Sequence, residues 1–278
     1  MQVAATIAEM RALRRGMSGV VGFVPTMGYL HEGHLALVRA ARQRDDHVVV
    51  SIFVNPTQFG PAEDFERYPR DTERDLALLR DERVDAVFMP SLEEMYPDGA
   101  STFVDVEGFT DVLEGAHRPG HFRGVATVVS MLFNILRPDR AYFGRKDAQQ
   151  LLVVRKLARE LHHGIEIVGL PIVREPDGLA LSSRNAYLTA EERSAALVLS
   201  TALRRAEELF GSGERDAEPL CAAMRELIAR EPLARVDYVS VADAETLREL
   251  ERIDGPTLAS LAVRIGSVRL IDNVTLES

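Results

Sequence analysis

The sequence has one cysteine, only two lysines and no long apolar run. The single Cys221 excludes a disulfide framework within the chain and any zinc module built on cysteines. The longest apolar stretches, Val48–Val54 and Val125–Leu136, are short or interrupted, so we expect no membrane span. Residues 1–15 carry Glu9 and three arginines and lack the apolar core of a signal peptide. These absences predict a cytoplasmic protein.

The composition is that of an ordinary globular protein with an acidic charge balance. Apolar residues make up 46% and charged residues 27% of the 278 residues, which excludes a disordered or low-complexity chain. The 33 basic and 43 acidic residues give a net charge of −10. Because nucleic-acid binding needs a basic face, we expect no nucleic-acid partner. An anionic ligand would need a local cluster that works against the global field.

Short apolar runs alternate with helical patterns up to about residue 170. Continuous runs of Val, Ile and Phe are typical of strands buried on both faces of a parallel sheet. The runs lie at Val20–Thr26, His47–Asn55, Val84–Pro90 and Glu166–Val173. The helical patterns lie at His34–Arg44, Asp71–Glu82, Val125–Leu136 and Gln149–Leu161. The alternation predicts the α/β class, with a doubly wound parallel sheet.

After Arg184 the pattern changes to that of a smaller α+β unit. A capping-box sequence at Thr189–Glu192 predicts the start of a helix. The predicted elements are helices from there to about Phe210 and from Glu218 to Arg230, and strands at Val236–Val241, Leu261–Ile265 and Val268–Ile271. We therefore predict two domains, residues 1–174 and residues 175–278.

The segment from Pro25 to His34 lies between the first predicted strand and the first helix, where ligands bind in doubly wound sheets. Gly28 and Gly33 allow the backbone to approach a ligand closely. The helix predicted to begin at His34 offers free N–H groups and a dipole that favour a phosphate. Both His31 and His34 can donate to one phosphate as negative charge develops. The alternatives are an ordinary loop role for one histidine and a zinc site.

Polar side chains recur in three later segments. Asn55 and Gln58 follow the second strand, and their amides suit the hydroxyl and carboxylate groups of a small ligand, although Asn-Pro is also a common turn opener. Further along the chain from the segment Gly120–Gly124, Lys146 is a candidate phosphate contact, because lysine is rare in a chain whose other basic residues are nearly all arginines. In Leu181–Asn185, serine hydroxyls and an arginine could grip a triphosphate or form a domain-boundary loop with a structural ion pair.

Five segments follow one another in register: FVPTMGYLHEGH, VSIFVNPTQF, RPGHFRGV, YFGRKDAQQL and DGLALSSRN. Together they closely resemble the pantothenate synthetase (pantoate–β-alanine ligase) family over residues 21–185. The His-x-Gly-His pattern alone is less specific, because a wider superfamily of nucleotidyltransferases and aminoacyl-tRNA synthetases shares it. The resemblance implies a Rossmann-like N-terminal domain, a smaller C-terminal domain that acts as a lid, and a homodimer.

The resemblance also implies a reaction: the ATP-dependent condensation of (R)-pantoate with β-alanine in the presence of Mg²⁺. The pantoate carboxylate would attack the α-phosphate of ATP, which releases pyrophosphate and gives a pantoyl-adenylate. The amine of β-alanine would then displace AMP. Such chemistry depends on positioning and charge neutralisation in a site that excludes water. The Mg²⁺ ligands are not identified from the sequence.

The family's site residues carry over by motif. The residues implied to bind ATP are Met27, Gly28, Tyr29, Leu30, His31, Glu32, Gly33, His34, Gly144, Arg145, Lys146, Asp147, Val173, Leu181, Ser182, Ser183 and Arg184. Those with catalytic roles are His34 as acid or hydrogen-bond donor, His31 beside it, and Lys146 and Arg184 as cations that neutralise phosphate. Those that bind the small substrates are Gln58, Gln150 and Asn55.

The chain departs from the family pattern next to the phosphate lysine. Arg145 stands where glutamate is common, and Ala148 where an aromatic residue is common. These departures keep open a catalytically silent ATP-binding protein, which would bind ATP without turnover. The shared histidine pattern keeps open another nucleotidyltransferase, which would leave the nucleotide on its product and release no AMP.

Overall fold

The computed structural model describes residues 1–61 and 63–277. The strands are β1 Gln2–Ala4, β2 Val21–Thr26, β3 His47–Ile52, β4 Ala86–Phe88, β5 Arg140–Gly144, β6 Glu166–Leu170, β7 Ala234–Asp243, β8 Thr257–Ile265 and β9 Val268–Leu276. The helices are α1 Ile7–Arg15, α2 Glu32–Arg44, α3 Thr72–Asp81, α4 Leu92–Met95, α5 Glu114–His117, α6 His121–Leu136, α7 Ala148–Glu160, α8 Ala190–Gly211 and α9 Ala217–Ala229. Short 3₁₀ helices lie at Pro56–Gln58, Arg145–Asp147 and Ser183–Tyr187.

A first unit, residues 1–110, 118–145 and 150–171, contains a six-stranded parallel sheet. The strand order is β1-β4-β3-β2-β5-β6. The chain moves outward from β2 through β3 to β4 and then returns to the other side of β2 with β5. This reversal confirms the predicted Rossmann-like, doubly wound class, and ligands of such sheets bind beyond the carboxyl ends of the strands at the reversal.

Both faces of this sheet are covered by helices. Phe23 and Val49 lie in the cluster that includes side chains of α1, α6 and α7, whereas their neighbours Val24 and Val50 pack with α2 and α3. Because successive side chains of a strand point to opposite faces, a strand covered on both sides must be apolar at every position. That is why the strands were detectable as continuous apolar runs.

A second unit takes in residues 111–117, 146–149 and 172–278. Its antiparallel sheet has the order β7-β8-β9, and α8 and α9 pack in one core with it. The predicted capping box is present at the start of α8, where Thr189 and Glu192 bond reciprocally to each other's backbone N–H. The predicted smaller α+β unit is thus confirmed, whereas the boundaries 1–174 and 175–278 stay a prediction.

Some elements differ from the sequence prediction. The strand β5 was missed because its apolar run, Ala141 to Phe143, is only three residues long. The helix α6 begins at His121 and not at Val125, since Gly120 before it adopts φ +83° and ends the preceding turn. In the described part of the chain, none of the helices is both long and apolar enough to cross a membrane.

Candidate active site

The turn after β2 has an unusual backbone. Gly28 has φ +80° and Tyr29 has φ +50°, both in the left-handed region. A Cβ at Gly28 would lie 3.0 Å from Ile52 Cγ2 and 3.1 Å from Asp75 Oδ2. Glycine is therefore favoured at this position by both its dihedral angle and its size.

A buried carboxylate holds this turn. Asp75 of α3 is 1% exposed, and its two oxygens accept the N–H groups of Tyr29 and Leu30, each at 2.7 Å. Burial raises the pKa of Asp75, although the two N–H groups act to lower it. Sequence reasoning missed this residue. The available signal was an aspartate four residues before Leu79, on the buried face of α3.

His31 and His34 cap the helix that follows the turn. The Nδ1 atom of His31 accepts the N–H of Gly33 at 3.2 Å, and the Nδ1 atom of His34 accepts the N–H of His31 at 3.3 Å. The helix α2 therefore begins at Glu32 and not at His34 as predicted, because His31 is its N-cap. A capping box usually pairs a hydroxyl with a carboxylate, whereas here two imidazoles make it.

The capping bonds fix the protonation of both rings. A backbone N–H can only donate, so each Nδ1 must be unprotonated and each neutral ring carries its hydrogen on Nε2. The ring centroids are 4.0 Å apart, with 36° between the ring planes. Each ring therefore carries its hydrogen on Nε2 and the two rings lie close together, while the phosphate contact itself stays a prediction. The zinc alternative gains no support: among the described residues, no group of three or more His, Cys, Asp or Glu is arranged to hold a metal ion.

Asn55 orients the side chain of Gln58. Asn55 is 1% exposed, and its Oδ1 accepts the N–H of Thr57 at 3.4 Å and the hydroxyl of Tyr96 at 2.9 Å. Its Nδ2 donates to the carbonyl of Gly124 and to Oε1 of Gln58, both at 3.1 Å. Because the backbone groups fix which end of Asn55 accepts and which donates, the Gln58 amide is fixed too.

The amino end of the Gln58 side chain is therefore its donor end. It lies 3.2 Å from the Sδ atom of Met27, in the turn after β2. A half-buried amide N–H₂ suits a carboxylate or hydroxyl oxygen of a small ligand. The first unit thus brings together the predicted residues Met27, Asn55 and Gln58, while substrate contact itself stays a prediction.

The two glutamines at the start of α7 have different surroundings. Gln149 is buried in the second unit, where its amide accepts the N–H of Glu114 at 3.0 Å and donates to the carbonyl of Val112 at 2.9 Å. Both ends of the Gln149 amide are thus engaged by the 112–114 segment. Gln150 is half-buried in the first unit and stays the predicted pantoate ligand.

The predicted ATP-binding residues divide between the units. The first unit carries Met27 to His34, Gly144 and Arg145, and the second carries Lys146, Asp147, Val173 and Leu181 to Arg184. In the second unit, the N–H of Leu181 donates to the carbonyl of Val173 at 3.0 Å, so these two residues are adjacent. The Ser182 hydroxyl accepts the N–H of Arg184 at 3.3 Å and caps a 3₁₀ helix.

The two lysines also differ. Lys156 pairs with Glu160 at 2.5 Å on the exposed side of α7. Within residues 1–61 and 63–277 we find no ion pair for the ammonium of Lys146. An ammonium without a carboxylate partner suits a phosphate ligand. Arg145, which precedes Lys146 in the chain, is exposed and close to Arg155. Burial and the positive charge of Arg145 lower the pKa of Arg155.

Comparison with known proteins gives a consistent result. The family model for pantoate-beta-alanine ligase matches residues 2–275. The pantothenate synthetases of Roseiflexus castenholzii and Chloroflexus aurantiacus are each 63% identical to the chain. The match with the first covers 100% of both proteins. The match with the second covers 100% of this chain and 99% of the relative. The crystal structure of pantothenate synthetase from Thermus thermophilus matches with TM-score 0.96 and 52% identity over 100% of both chains. The pantoate-beta-alanine ligase of Francisella tularensis, solved with beta-gamma ATP and β-alanine, matches with TM-score 0.83 and 35% identity over 99% of this chain and 97% of its own.

Proposed function

The chain belongs to the pantoate–β-alanine ligase family, and on that premise we propose how it joins pantoate to β-alanine. It is a ligase enzyme of pantothenate synthesis. In the proposed route, a pantoate carboxylate oxygen attacks the α-phosphorus of ATP and pyrophosphate leaves. The β-alanine nitrogen then attacks the acyl carbon of the pantoyl-adenylate, loses a proton and displaces AMP. The beta-gamma ATP and β-alanine bound in the Francisella tularensis relative support the use of ATP and β-alanine as substrates.

The observation that carries this proposal is the turn from Met27 to His34. It follows the strand at which the sheet order reverses, and it ends in a helix N-terminus. The Nε2–H groups of His31 and His34 would donate to phosphate oxygens of ATP. Charge develops on those oxygens as pyrophosphate leaves, so donors held in place by the capping bonds would stabilise the transition state more than the bound substrate.

The remaining roles are those that the family resemblance implies. Gln58 would bind pantoate and β-alanine through its Nε2–H₂ end, while Asn55 keeps that end in place. Gln150 would hold pantoate. Lys146 and Arg184 would neutralise the phosphates, and the backbone of Val173 and Leu181 to Ser183 would contact the nucleotide.

Mg²⁺ would enter as part of the ATP substrate. The described residues contain no group of three acidic, histidine or cysteine side chains able to cage a metal ion. Magnesium commonly keeps several waters and binds through substrate phosphates. We therefore assign no protein cage to it. A homodimer remains a prediction of the resemblance, and a cytoplasmic location remains a prediction from the sequence features described above.

The test is product analysis of the purified chain with ATP, Mg²⁺ and pantoate, with and without β-alanine. We expect AMP and pantothenate in equal amounts when both small substrates are present. His34→Ala should lower kcat for adenylate formation about 10²-fold, the usual effect of removing a preorganised donor. His47→Ala, which removes a histidine at the start of β3, is the matched control.

Three other outcomes would contradict parts of the proposal. ATP binding without AMP would favour the catalytically silent protein. A product that retains the nucleotide would favour another nucleotidyltransferase. Normal adenylate formation by His34→Ala would remove the catalytic role of that histidine while leaving the ligase reaction intact.

A further inference from the structure

A second set of contacts reaches Gln58 from the residues that lead into α6. The Nδ1 atom of His121 lies 2.9 Å from the main-chain oxygen of Gln58, and Nη2 of Arg118 lies 3.3 Å from the same oxygen. His121 is 8% exposed. These contacts bind the backbone of Gln58, whereas Asn55 binds its side chain.

We propose that Arg118 and His121 are positioning residues for the ligase reaction, because they fix the main-chain carbonyl of Gln58 and so set where its amide meets the small substrates. The inference rests on the proposed role of Gln58. It adds two residues that would not contact a substrate and would act through another side chain.

The contacts determine the protonation of His121. A carbonyl oxygen can only accept, so Nδ1 of His121 must donate to Gln58. A guanidinium can only donate, so Nε2 of His121, 3.0 Å from Nη1 of Arg118, must accept. The ring is therefore neutral with its hydrogen on Nδ1, opposite to the assignment for His31 and His34. A protonated ring would place an N–H against the guanidinium.

Arg118 is itself fixed by Glu63. Its Nε and Nη2 atoms bond the two carboxylate oxygens of Glu63 at 2.7 and 2.6 Å, the paired geometry that makes arginine–carboxylate bonds strong. Burial acts to raise the pKa of Glu63, but the bonded charge of Arg118 outweighs it and lowers that pKa. Since this carboxylate stays charged, the guanidinium stays in place against both His121 and Gln58.

Close packing leaves Gln58 little freedom to move. A Cβ at Gly124, one helical turn after His121, would lie 2.3 Å from the carbonyl oxygen of Thr57 and 2.7 Å from Gln58 Cα. The 3₁₀ helix Pro56–Gln58 thus lies directly against the first turn of α6. The position of Gln58 is therefore set jointly by this packing and by the hydrogen bonds from His121 and Arg118.

Two substitutions of one residue separate positioning from general structure. An asparagine places an N–H near the position of a histidine Nδ1, whereas a glutamine places it near Nε2. We expect His121→Asn to keep the KM values of pantoate and β-alanine within about twofold. His121→Gln should raise both about fivefold or more through loss of the bond to Gln58, with the KM of ATP within about twofold. Arg118→Lys, which loses the paired bonds to Glu63, should behave like His121→Gln.

The controls keep the test independent of folding. His47→Asn should change none of the three KM values, and thermal melting should show that every variant is folded. Equal rises in the KM of ATP and of the small substrates would overturn the proposal, because a general loss of structure would produce them. Unchanged KM values in both His121→Gln and Arg118→Lys would overturn it as well.

A spectroscopic measurement tests the geometry without turnover. The protein is labelled with ¹⁵N-histidine, and the NMR signals that disappear in His121→Asn are assigned to His121. We expect these signals to show a proton on Nδ1 and an unprotonated Nε2. A proton on Nε2 would overturn the proposal. If the wild-type chain formed no pantothenate, the proposed function would fail, yet this spectrum would still decide whether the contacts exist.

Discussion

Single residues of the candidate site have two functions at once. The imidazoles of His31 and His34 satisfy backbone N–H groups at the start of α2, and the same bonds leave Nε2–H as the donor of each ring. A substitution of either histidine therefore changes the helix cap as well as the proposed phosphate contact, so its effect cannot be assigned to one of them alone. For this reason the clearest test of the turn is a residue that supports it from outside.

Asp75→Asn provides that test. The asparagine amide can accept only one of the two N–H groups of Tyr29 and Leu30, and its own N–H₂ would face the other donor. The positive φ of Tyr29, which costs of order 1–3 kcal/mol to maintain, would then be less well supported. We expect the KM of ATP to rise about tenfold in steady-state kinetics, which corresponds to ~1.4 kcal/mol, with the KM of pantoate changed less than twofold.

Asp71→Asn is the matched control for this substitution. Asp71 caps the same helix from an exposed position, where its carboxylate accepts the N–H of Arg74 at 3.1 Å. Asparagine is an equally good N-cap, so the KM of ATP should not change. An ATP KM for Asp75→Asn that equals the wild-type value would show that the turn keeps its shape without the carboxylate.

How much of the site could be predicted depends on how far apart in sequence its residues lie. His31, His34 and Gln58 were found because they stand in short motifs next to a predicted strand. Asp75 and Arg118 were not, because they bond backbone groups 46 and 60 residues earlier. These long-range bonding partners depend on which strands and helices become neighbours in the fold. Neither the periodicity nor the composition of the sequence specifies those neighbours.

At the scale of elements, prediction succeeded where a single strand or helix carries its own apolar pattern. The strands β2 and β3 are largely apolar and were detected, whereas β5 is too short to stand out, although it completes the sheet beside β2. The start of α6 was misplaced for a related reason. In its first turn, polar His121 and small Gly124 lie against the 3₁₀ helix at Pro56–Gln58, which interrupts the apolar pattern.

The contact between these two helical turns leads to a prediction for Gly124→Ala. The added Cβ would meet the carbonyl of Thr57, which is backbone and cannot move aside as a flexible side chain would. We expect a loss of about 1–3 kcal/mol in the free energy of unfolding, as is usual for overpacking, measured by urea denaturation. The KM of pantoate should rise in the same variant, because Gln58 directly follows the displaced Thr57.

Gly211→Ala serves as the comparison for that variant. Gly211 is the last residue of α8, and a Cβ there would meet nothing within 4 Å. Alanine is favoured over glycine in helices by up to about 1 kcal/mol, so the free energy of unfolding should stay level or rise. Equal stability losses in Gly124→Ala and Gly211→Ala would mean that the close approach of Gly124 to Thr57 is not the cause.

On the scale of the whole molecule, many arginines of the described residues form ion pairs within the protein. Arginine provides all but two of the basic side chains, and it makes paired bonds such as Arg174 to Asp272 and Arg269 to Glu114. Such planar pairs cannot easily turn toward a ligand. In a chain of net charge −10, an anionic ligand needs a local cluster of cations, and Lys146 and Arg184 stay the predicted ones.

The single cysteine provides a measure of stability for the second unit. Cys221 lies in the core of that unit, between α9 and its neighbours, and burial raises the pKa of its thiol to about 11. Only the thiolate reacts with disulfide reagents. At pH 8 we therefore expect labelling of the folded chain to be at least about a hundredfold slower than labelling in urea, where the thiol has its usual pKa of about 8.5.

The expected pH dependence follows from the direction of the shift. A raised pKa keeps the folded thiol protonated as the pH increases from 7 to 9, so direct labelling of the folded state should stay negligible, and the observed rate should follow opening of the core. Cys221→Ser should abolish the signal, since no other cysteine exists. Labelling of the folded chain as fast as in urea would show that the core around α9 does not exclude the reagent, and that the thiol is not buried as the structure has it.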